Sequence, residues 1–314
     1  MSLPIVLIIQ GPTASGKTAL AHAIAEKYPI EIISADSRQV YRGLDIGTAK
    51  PTEEERKRYR YYGIDLCAPT ESISSGQFAR WVWNWIAQIS SRGNISLIVG
   101  GSGLYVTAIT EGMVDEPASV PPAIRTMLAK RLLDRGRQAL YEELQAVDPA
   151  SAARYTDKNP RRLLRALEYY HAYGIPLSQA QKSHHQQPPP MQIERITLLP
   201  ERSVLYERIA DRVRAMWDAG LVEETQRLLQ EGYDRNLPIF ETIGYAEALA
   251  TLEGKMRPQE AIERIILRTR RYAKRQITWL RHMTPLGHVL YEFGDHAQDT
   301  ILTIIDHIFS HKRQ

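Results

Sequence analysis

The sequence predicts an α/β fold, a parallel sheet flanked by helices and interrupted by an all-helical insertion, and three observations predict it. Short isoleucine-rich apolar runs alternate with helical stretches over the first third of the chain, the rhythm of a parallel sheet with helices on its faces. After about Glu111 that rhythm stops at Pro117, Pro121 and Pro122 and only helical patterning follows. A second proline group, Pro188, Pro189 and Pro190, precedes one more apolar run. The core is therefore assigned to residues 1–115 and 191–314 and the insertion to 116–190.

The elements follow in order. Leu3 to Ile9 runs straight into glycine and reads as a buried parallel strand, with a helix from Lys17 to Tyr28 behind it. Glu31 to Ser34 is a second strand, Trp81 to Ser91 a helix, and Ile95 to Val99 a third strand ending at Gly100-Gly101. Residues 123–181 are helical, and Asp148-Pro149 and Asn159-Pro160 each set a capping residue before proline at the first helical position. Ile193 to Leu199 is a further strand, with helices from Ser203 onward. Trp81, Trp83 and Trp85 are assigned to packing, and His184-His185 to a solvated linker rather than a metal site.

With 314 residues, roughly two units of about 150 residues are expected. The hydrophobic content of 43% is ordinary for a globular core, and the net charge of +4 alone says little about partners. Cys67 is the single cysteine, which excludes an intramolecular disulfide and a multi-cysteine zinc site and fits a reducing cytoplasm. No apolar run reaches the ~20 residues that span a bilayer, and residues 3–9 lack the basic leader of a secretory signal.

Gly11-Pro12-Thr13-Ala14-Ser15-Gly16-Lys17-Thr18 matches G-x-x-x-x-G-K-[ST] and lies between a strand and a helix, where a phosphate loop has to be. Glycine lets the backbone curl until successive N–H groups converge on phosphate oxygens, and the helix N-terminus adds partial positive charge. Lys17 supplies a full charge, and Thr18 a hydroxyl for Mg²⁺. The core is in this sense P-loop NTPase-like. The motif identifies a chain of phosphates, not the molecule that bears them.

Asp36 follows the second strand, and ligands of open α/β sheets bind outside the carboxyl ends of the strands. A carboxylate there can take a proton from an attacking nucleophile, and the Gln39 amide can pair with an adenine edge. Position alone fits equally a turn cap at Asp36 with Ser37, Arg38 and Gln39 solvated. The third strand ends in Gly100-Gly101-Ser102-Gly103, suited to a second anionic group or to a structural turn, where ATPases often place a magnesium-binding Asp.

Residues 264–281 contain Arg264, Arg268, Arg270, Arg271, Lys274, Arg275 and Arg281 and no acid, more positive charge than the +4 of the whole chain. Arg264, Arg268, Arg271 and Arg275 share one helical face, which can track a phosphate backbone. Arg161, Arg162 and Arg165 cluster similarly in the insertion. Either cluster is also compatible with a merely solvated face. Tyr245, Trp217 and Trp279 can stack on bases or pack in the core.

Taken together, residues 11–18, 33–41, 45–51 and 99–105 resemble the bacterial tRNA dimethylallyltransferases, as do Asp148-Pro149 with Ala152 and Arg154, residues 161–167 and residues 274–281. The likeness runs from about position 5 to 282. It implies transfer of a dimethylallyl group from dimethylallyl diphosphate to N6 of the adenine just 3′ of the anticodon. The phosphate loop would hold the diphosphate, with Mg²⁺ on Thr18, and Lys17 and Arg212 would neutralise the departing charge. Asp36 would accept the N6 proton, and Ser102 and Arg125 would meet substrate at a channel. The anticodon stem-loop would be held by Asp36, Ser37, Arg38, Gln39, Arg161, Arg162, Arg165, Lys274, Arg275, Gln276 and Arg281, with the target base turned out of its stack. A cytoplasmic monomer is implied.

The chain departs from the family pattern at Ser102, where threonine is usual, at Thr156-Asp157-Lys158-Asn159-Pro160, and at Ala246, where a basic residue is common. Two other readings share the phosphate loop: an ATP-dependent small-molecule kinase, and a nucleic-acid-binding NTPase without transfer chemistry.

Overall fold

The structure is a computed structural model that describes residues 3–114, 120–183, 185–283, 285–291, and 302, 303, 305 and 306. Pro117 and His184 lie outside the described residues. The chain divides into two compact units, residues 1–110 with 189–314, and residues 111–188. In chain order the first unit begins with β1 (Ile5–Gln10), α1 (Lys17–Ala25), β2 (Ile30–Ser34), α2 (Glu53–Arg58), β3 (Tyr61–Tyr62), α3 (Ser75–Ser91), β4 (Ile95–Gly100) and α4 (Gly103–Glu111). The second unit contains β5 (Met113–Val114), α5 (Pro122–Val147), α6 (Pro149–Arg154), α7 (Pro160–Tyr173), α8 (Leu177–Ser183) and β6 (His185–Gln186). The first unit resumes with β7 (Gln192–Leu198), α9 (Arg202–Asp218), α10 (Leu221–Gln230), a 3₁₀ turn (Pro238–Glu241), α11 (Tyr245–Leu252), α12 (Pro258–Met283) and β8 (His288–Leu290).

One sheet organises the first unit, in the order β3-β2-β4-β1-β7-β8, and every neighbouring pair in it is parallel. The three adjacent strands β2, β4 and β1 are buried almost throughout. Central parallel strands covered on both faces need such continuous apolar sequence. Leu20, Ala21 and Ile24 of α1 pack on Leu7, Ile9, Ile32, Leu97 and Val99. A second core joins Leu205, Ile209 and Val213 of α9 to Leu221, Leu228, Tyr245, Ile265 and Ala273, and so fixes which way α12 faces. Because β2, β4 and β1 are neighbours, the turns after them lie side by side at one edge of the sheet.

In the second unit the proline-capped helix starts form as read: the Asp148 side chain accepts from the Ser151 N–H, and Asn159 from the Arg161 N–H. Asp148 also takes the N–H and hydroxyl of Ser178, which ties α6 to α8. Leu128, Leu140, Leu144, Leu163, Leu167 and Tyr169 form the core of this unit. α5 is broken at Gly136, whose φ of 71° is left-handed.

Several boundaries differ from the expected ones. α3 starts at Ser75 rather than Trp81, because Ser74 caps it by accepting from the Gln77 N–H. His185, expected in a linker, pairs across to Val114, and Met113 to Gln186, in an antiparallel ribbon. With that pairing, residues 111–114 belong to the inserted unit rather than to the core. Strands β3 and β8 have two and three residues, too short for alternation to reveal. Trp83 donates its indole N–H to the Ile109 carbonyl at 2.9 Å, and Trp85 lies 5.5 Å from the Tyr62 ring, so both serve packing. Tyr245 is fully buried and donates to Glu224, which removes it from the stacking candidates.

Candidate functional site

The phosphate loop forms between β1 and α1. Ala14 and Gly16 take left-handed φ values of 61° and 85°, which turns the backbone in on itself. Gly16 caps α1 without any side-chain bond, so the first-turn N–H groups point along the helix axis toward the loop. Gly11 has no room for a side chain: an added Cβ would lie 2.7 Å from the Leu198 carbonyl and from Ser15 Oγ. Ser15 Oγ is buried with no partner. The Lys17 ammonium donates to the Gly11 and Pro12 carbonyls at 3.0 and 2.7 Å. Burial, then the nearby Arg212, lowers its pKa from 10.5 to about 7, with Asp36 opposing. A loop at a helix N-terminus that holds a desolvated cation and a buried hydroxyl without a partner suits an anion.

A cavity opens over the loop, lined by Thr13, Lys17, Thr18, Asp36, Gln39, Gly100, Gly101, Arg212, Tyr272 and Gln276 among others. The ends of β1, β2 and β4 thus bring the predicted residues Thr13, Lys17, Thr18 and Asp36 into one chamber, and α9 adds Arg212. The Arg212 guanidinium reaches Thr13 Oγ1 at 3.4 Å. Burial lowers its pKa while Asp36 raises it. Asp36 Oδ1 accepts the Arg38 N–H at 2.8 Å, and so the carboxylate is oriented by its own turn. Ser102 Oγ accepts the Ser37 N–H at 3.1 Å, which locks the turn after β2 to the turn after β4. Gly100 permits that approach, since a Cβ there would meet the Ala35 carbonyl at 2.3 Å.

Gln39 is occupied inside the protein. It accepts from Ser34 Oγ at 2.7 Å and donates to the Thr48 and Ala49 carbonyls at 3.2 and 3.0 Å. In the structure its amide therefore braces the 45–51 segment rather than presenting a free edge to a base. That segment is held from the other side by Glu224, whose carboxylate accepts the N–H groups of Asp45, Ile46 and Gly47 and the Tyr245 hydroxyl. Glu224 escaped the sequence reading because nothing near it in the chain points to residues 45–47.

Sequence reasoning also missed Tyr272. It lines the cavity, bonds Ser102, and has its pKa raised to about 12 by burial and the Asp36 charge. Spacing could have found it: Ile265, Tyr272, Gln276 and Leu280 fall on the inward face of α12. Gln276 lies on that face too and is buried, whereas Arg271, Lys274, Arg275 and Arg281 are exposed on the other.

The basic stripe of α12 is not uniform. Arg268 pairs with the buried Glu247 of α11, and Arg264 lies 3.9 Å from the same carboxylate. Arg270 sits over the Tyr206 ring at 4.9 Å. Counting charges within one segment cannot see an acid supplied by the preceding helix. The cations on the outer face are Arg271, Lys274, Arg275 and Arg281. Within the inserted unit, Arg125, Arg161 and Arg162 are exposed, and Arg165 is partly buried, with its pKa lowered by desolvation.

Among the described residues no group of three His, Cys, Asp or Glu side chains could hold a metal. The cavity offers the Thr18 hydroxyl and the Asp36 carboxylate. That sparse oxygen set fits Mg²⁺, which keeps waters and is commonly completed by phosphate oxygens of a substrate. No described helix is long and apolar enough to cross a membrane.

A tRNA dimethylallyltransferase of Roseiflexus castenholzii is 43% identical over 88% of this chain and 90% of its own. One from Thermus thermophilus is 42% identical over 90% and 91%. The full-length tRNA isopentenylpyrophosphate transferase of Bacillus halodurans superposes with a TM-score of 0.69 at 34% identity over 98% of both chains. A eukaryotic dimethylallyltransferase acting on tRNA superposes with a TM-score of 0.74 at 28% identity, over 89% of this chain and 70% of that one. The IPP transferase family model matches residues 39–283, and the chain belongs to that family.

Proposed function

We propose that this protein is a tRNA dimethylallyltransferase: it moves a dimethylallyl group from dimethylallyl diphosphate to N6 of the adenine 3′-adjacent to the anticodon. The observation behind the reading is that one cavity is lined both by an anion cradle, with Lys17 and Arg212, and by a carboxylate, Asp36. A donor diphosphate fits the first and a nucleophile's proton the second.

In this reading the first-turn N–H groups of α1, the Lys17 ammonium and the Arg212 guanidinium receive the diphosphate. The N6 amine attacks the allylic C1 carbon, the C1–O bond to diphosphate breaks, and the N6 proton passes to Asp36. Lys17 and Arg212 take up the negative charge that grows on the departing oxygen, where cations in a desolvated site act most strongly. The Thr18 hydroxyl would hold Mg²⁺, which when bound would supply further positive charge for the same leaving group. Ser102 and Tyr272 hold the turn beside Asp36 so that the carboxylate stays oriented. Arg271, Lys274, Arg275 and Arg281 of α12 contact the tRNA backbone, as do Arg125, Arg161, Arg162 and Arg165 of the inserted unit. The target adenine leaves its stack to reach the cavity, because N6 is not accessible within it. One chain acts on one stem-loop, in the cytoplasm.

An ATP-dependent kinase would use the same loop, but it leaves the exposed cations of α12 without a role. Replacement of Asp36 tests the reading. Asp36→Ala is expected to lower transfer of labelled dimethylallyl into tRNA by about 10²–10⁴-fold, the usual worth of a general base, and to leave tRNA binding largely intact. Transfer persisting at the wild-type rate would remove Asp36 from the chemistry, and tRNA-stimulated ATP hydrolysis without transfer would replace the whole reading.

A further inference from the structure

Gln276 lies within the basic segment, yet its side chain points away from solvent and is 8% exposed. Both ends of its amide are used. Oε1 accepts the Thr13 N–H of the phosphate loop at 2.8 Å, and Nε2 donates to the Gly101 carbonyl at 2.9 Å. One side chain on α12 thus bolts together the loops that follow β1 and β4. The approach is specific to its partners: a Cβ on Gly101 would lie 2.5 Å from Gln276 Nε2. Thr13 is also the residue that Arg212 reaches through its hydroxyl.

We propose that Gln276 is a positioning residue for the diphosphate cradle, a role that rests on the transfer reading above. It holds Thr13 and the start of the 101–102 turn at a fixed separation, so that the loop N–H groups and Arg212 meet the diphosphate without rearranging. An amide spent in two internal bonds has no edge left for a tRNA phosphate or base, which separates Gln276 from its exposed neighbours Lys274 and Arg275.

Gln276→Met keeps volume and apolar contacts and removes both hydrogen bonds. With each bond worth roughly one kcal/mol, the loss is expected to be about ten- to thirtyfold. It should fall on binding of inorganic pyrophosphate with Mg²⁺, read by calorimetry, and on the KM for dimethylallyl diphosphate. The KM for tRNA should stay within about twofold. Gln276→Glu keeps the acceptor for Thr13 but loses the donor to Gly101, and is expected to weaken pyrophosphate at least as much. Should the Met variant fail to fold, the Glu variant decides by the same readouts. Pyrophosphate binding within about twofold of wild type in a folded variant overturns the proposal. So does a rise in the KM for tRNA as large as that for the donor. If wild-type protein binds pyrophosphate in a Gln276-dependent way yet transfers nothing to tRNA, the brace stands and the transfer reading fails.

Discussion

Lys17 shows most directly how the site is prepared for an anion. Its ammonium is buried against the Gly11 and Pro12 carbonyls, beside Arg212, and its pKa falls to about 7. Between that value and the ordinary 10.5, the folded chain binds fewer protons here than the unfolded chain, so this group's contribution to stability rises with pH across the window. Diphosphate reverses the preference, because an anion favours the charged amine. Donor binding above about pH 7 is therefore expected to take up a proton, and affinity to decline by up to about tenfold per pH unit. Calorimetry in buffers of different ionisation enthalpy measures that uptake directly. Lys17→Arg, which keeps its charge throughout, should lose the Lys17 share of the uptake above about pH 7.5. Unchanged uptake in that variant would assign the proton elsewhere.

Helix α12 divides its residues between two tasks by face. Arg271 is exposed, and Arg271→Ala is expected to weaken tRNA binding and reduce the slope of log K against log salt by about one phosphate's worth. Arg268 holds the buried Glu247, and Arg268→Ala should instead cost about 2 kcal/mol of stability and leave the salt slope alone. Denaturant unfolding and filter binding on both variants separate the two effects; a slope change for Arg268→Ala would contradict the division. The sequence showed the helix and its charge, since both are written in local periodicity. It did not show which cations were already paired, because Glu247 lies on a different helix. The same limit hid the grip of Glu224 on residues 45–47 and the inward turn of Gln276. By contrast, the phosphate loop was legible as a strand, a turn and a helix with glycine at the left-handed Gly16, although the close approach of Leu198 to Gly11 was not.

At the level of the chain, a parallel sheet places three turns at one edge, and each was readable as strand followed by glycine or acid. β1 supplies the cradle, β2 supplies Asp36, and β4 supplies Ser102. The helical insertion was readable from its prolines, but its limits were not, because the ribbon of 113–114 with 185–186 depends on pairing across more than seventy residues. Arg212 was named through family resemblance; burial beside Lys17 and Asp36 gives it a physical reason to act on diphosphate. The central claim is that this cavity joins a five-carbon allylic group to an adenine of tRNA. Mass spectrometry of tRNA nucleosides after incubation with dimethylallyl diphosphate and Mg²⁺ tests it most directly. Adenosine from the position next to the anticodon should gain the mass of one dimethylallyl group, with diphosphate released in equal amount. Unaltered nucleosides, with the protein folded and tRNA bound, would contradict it.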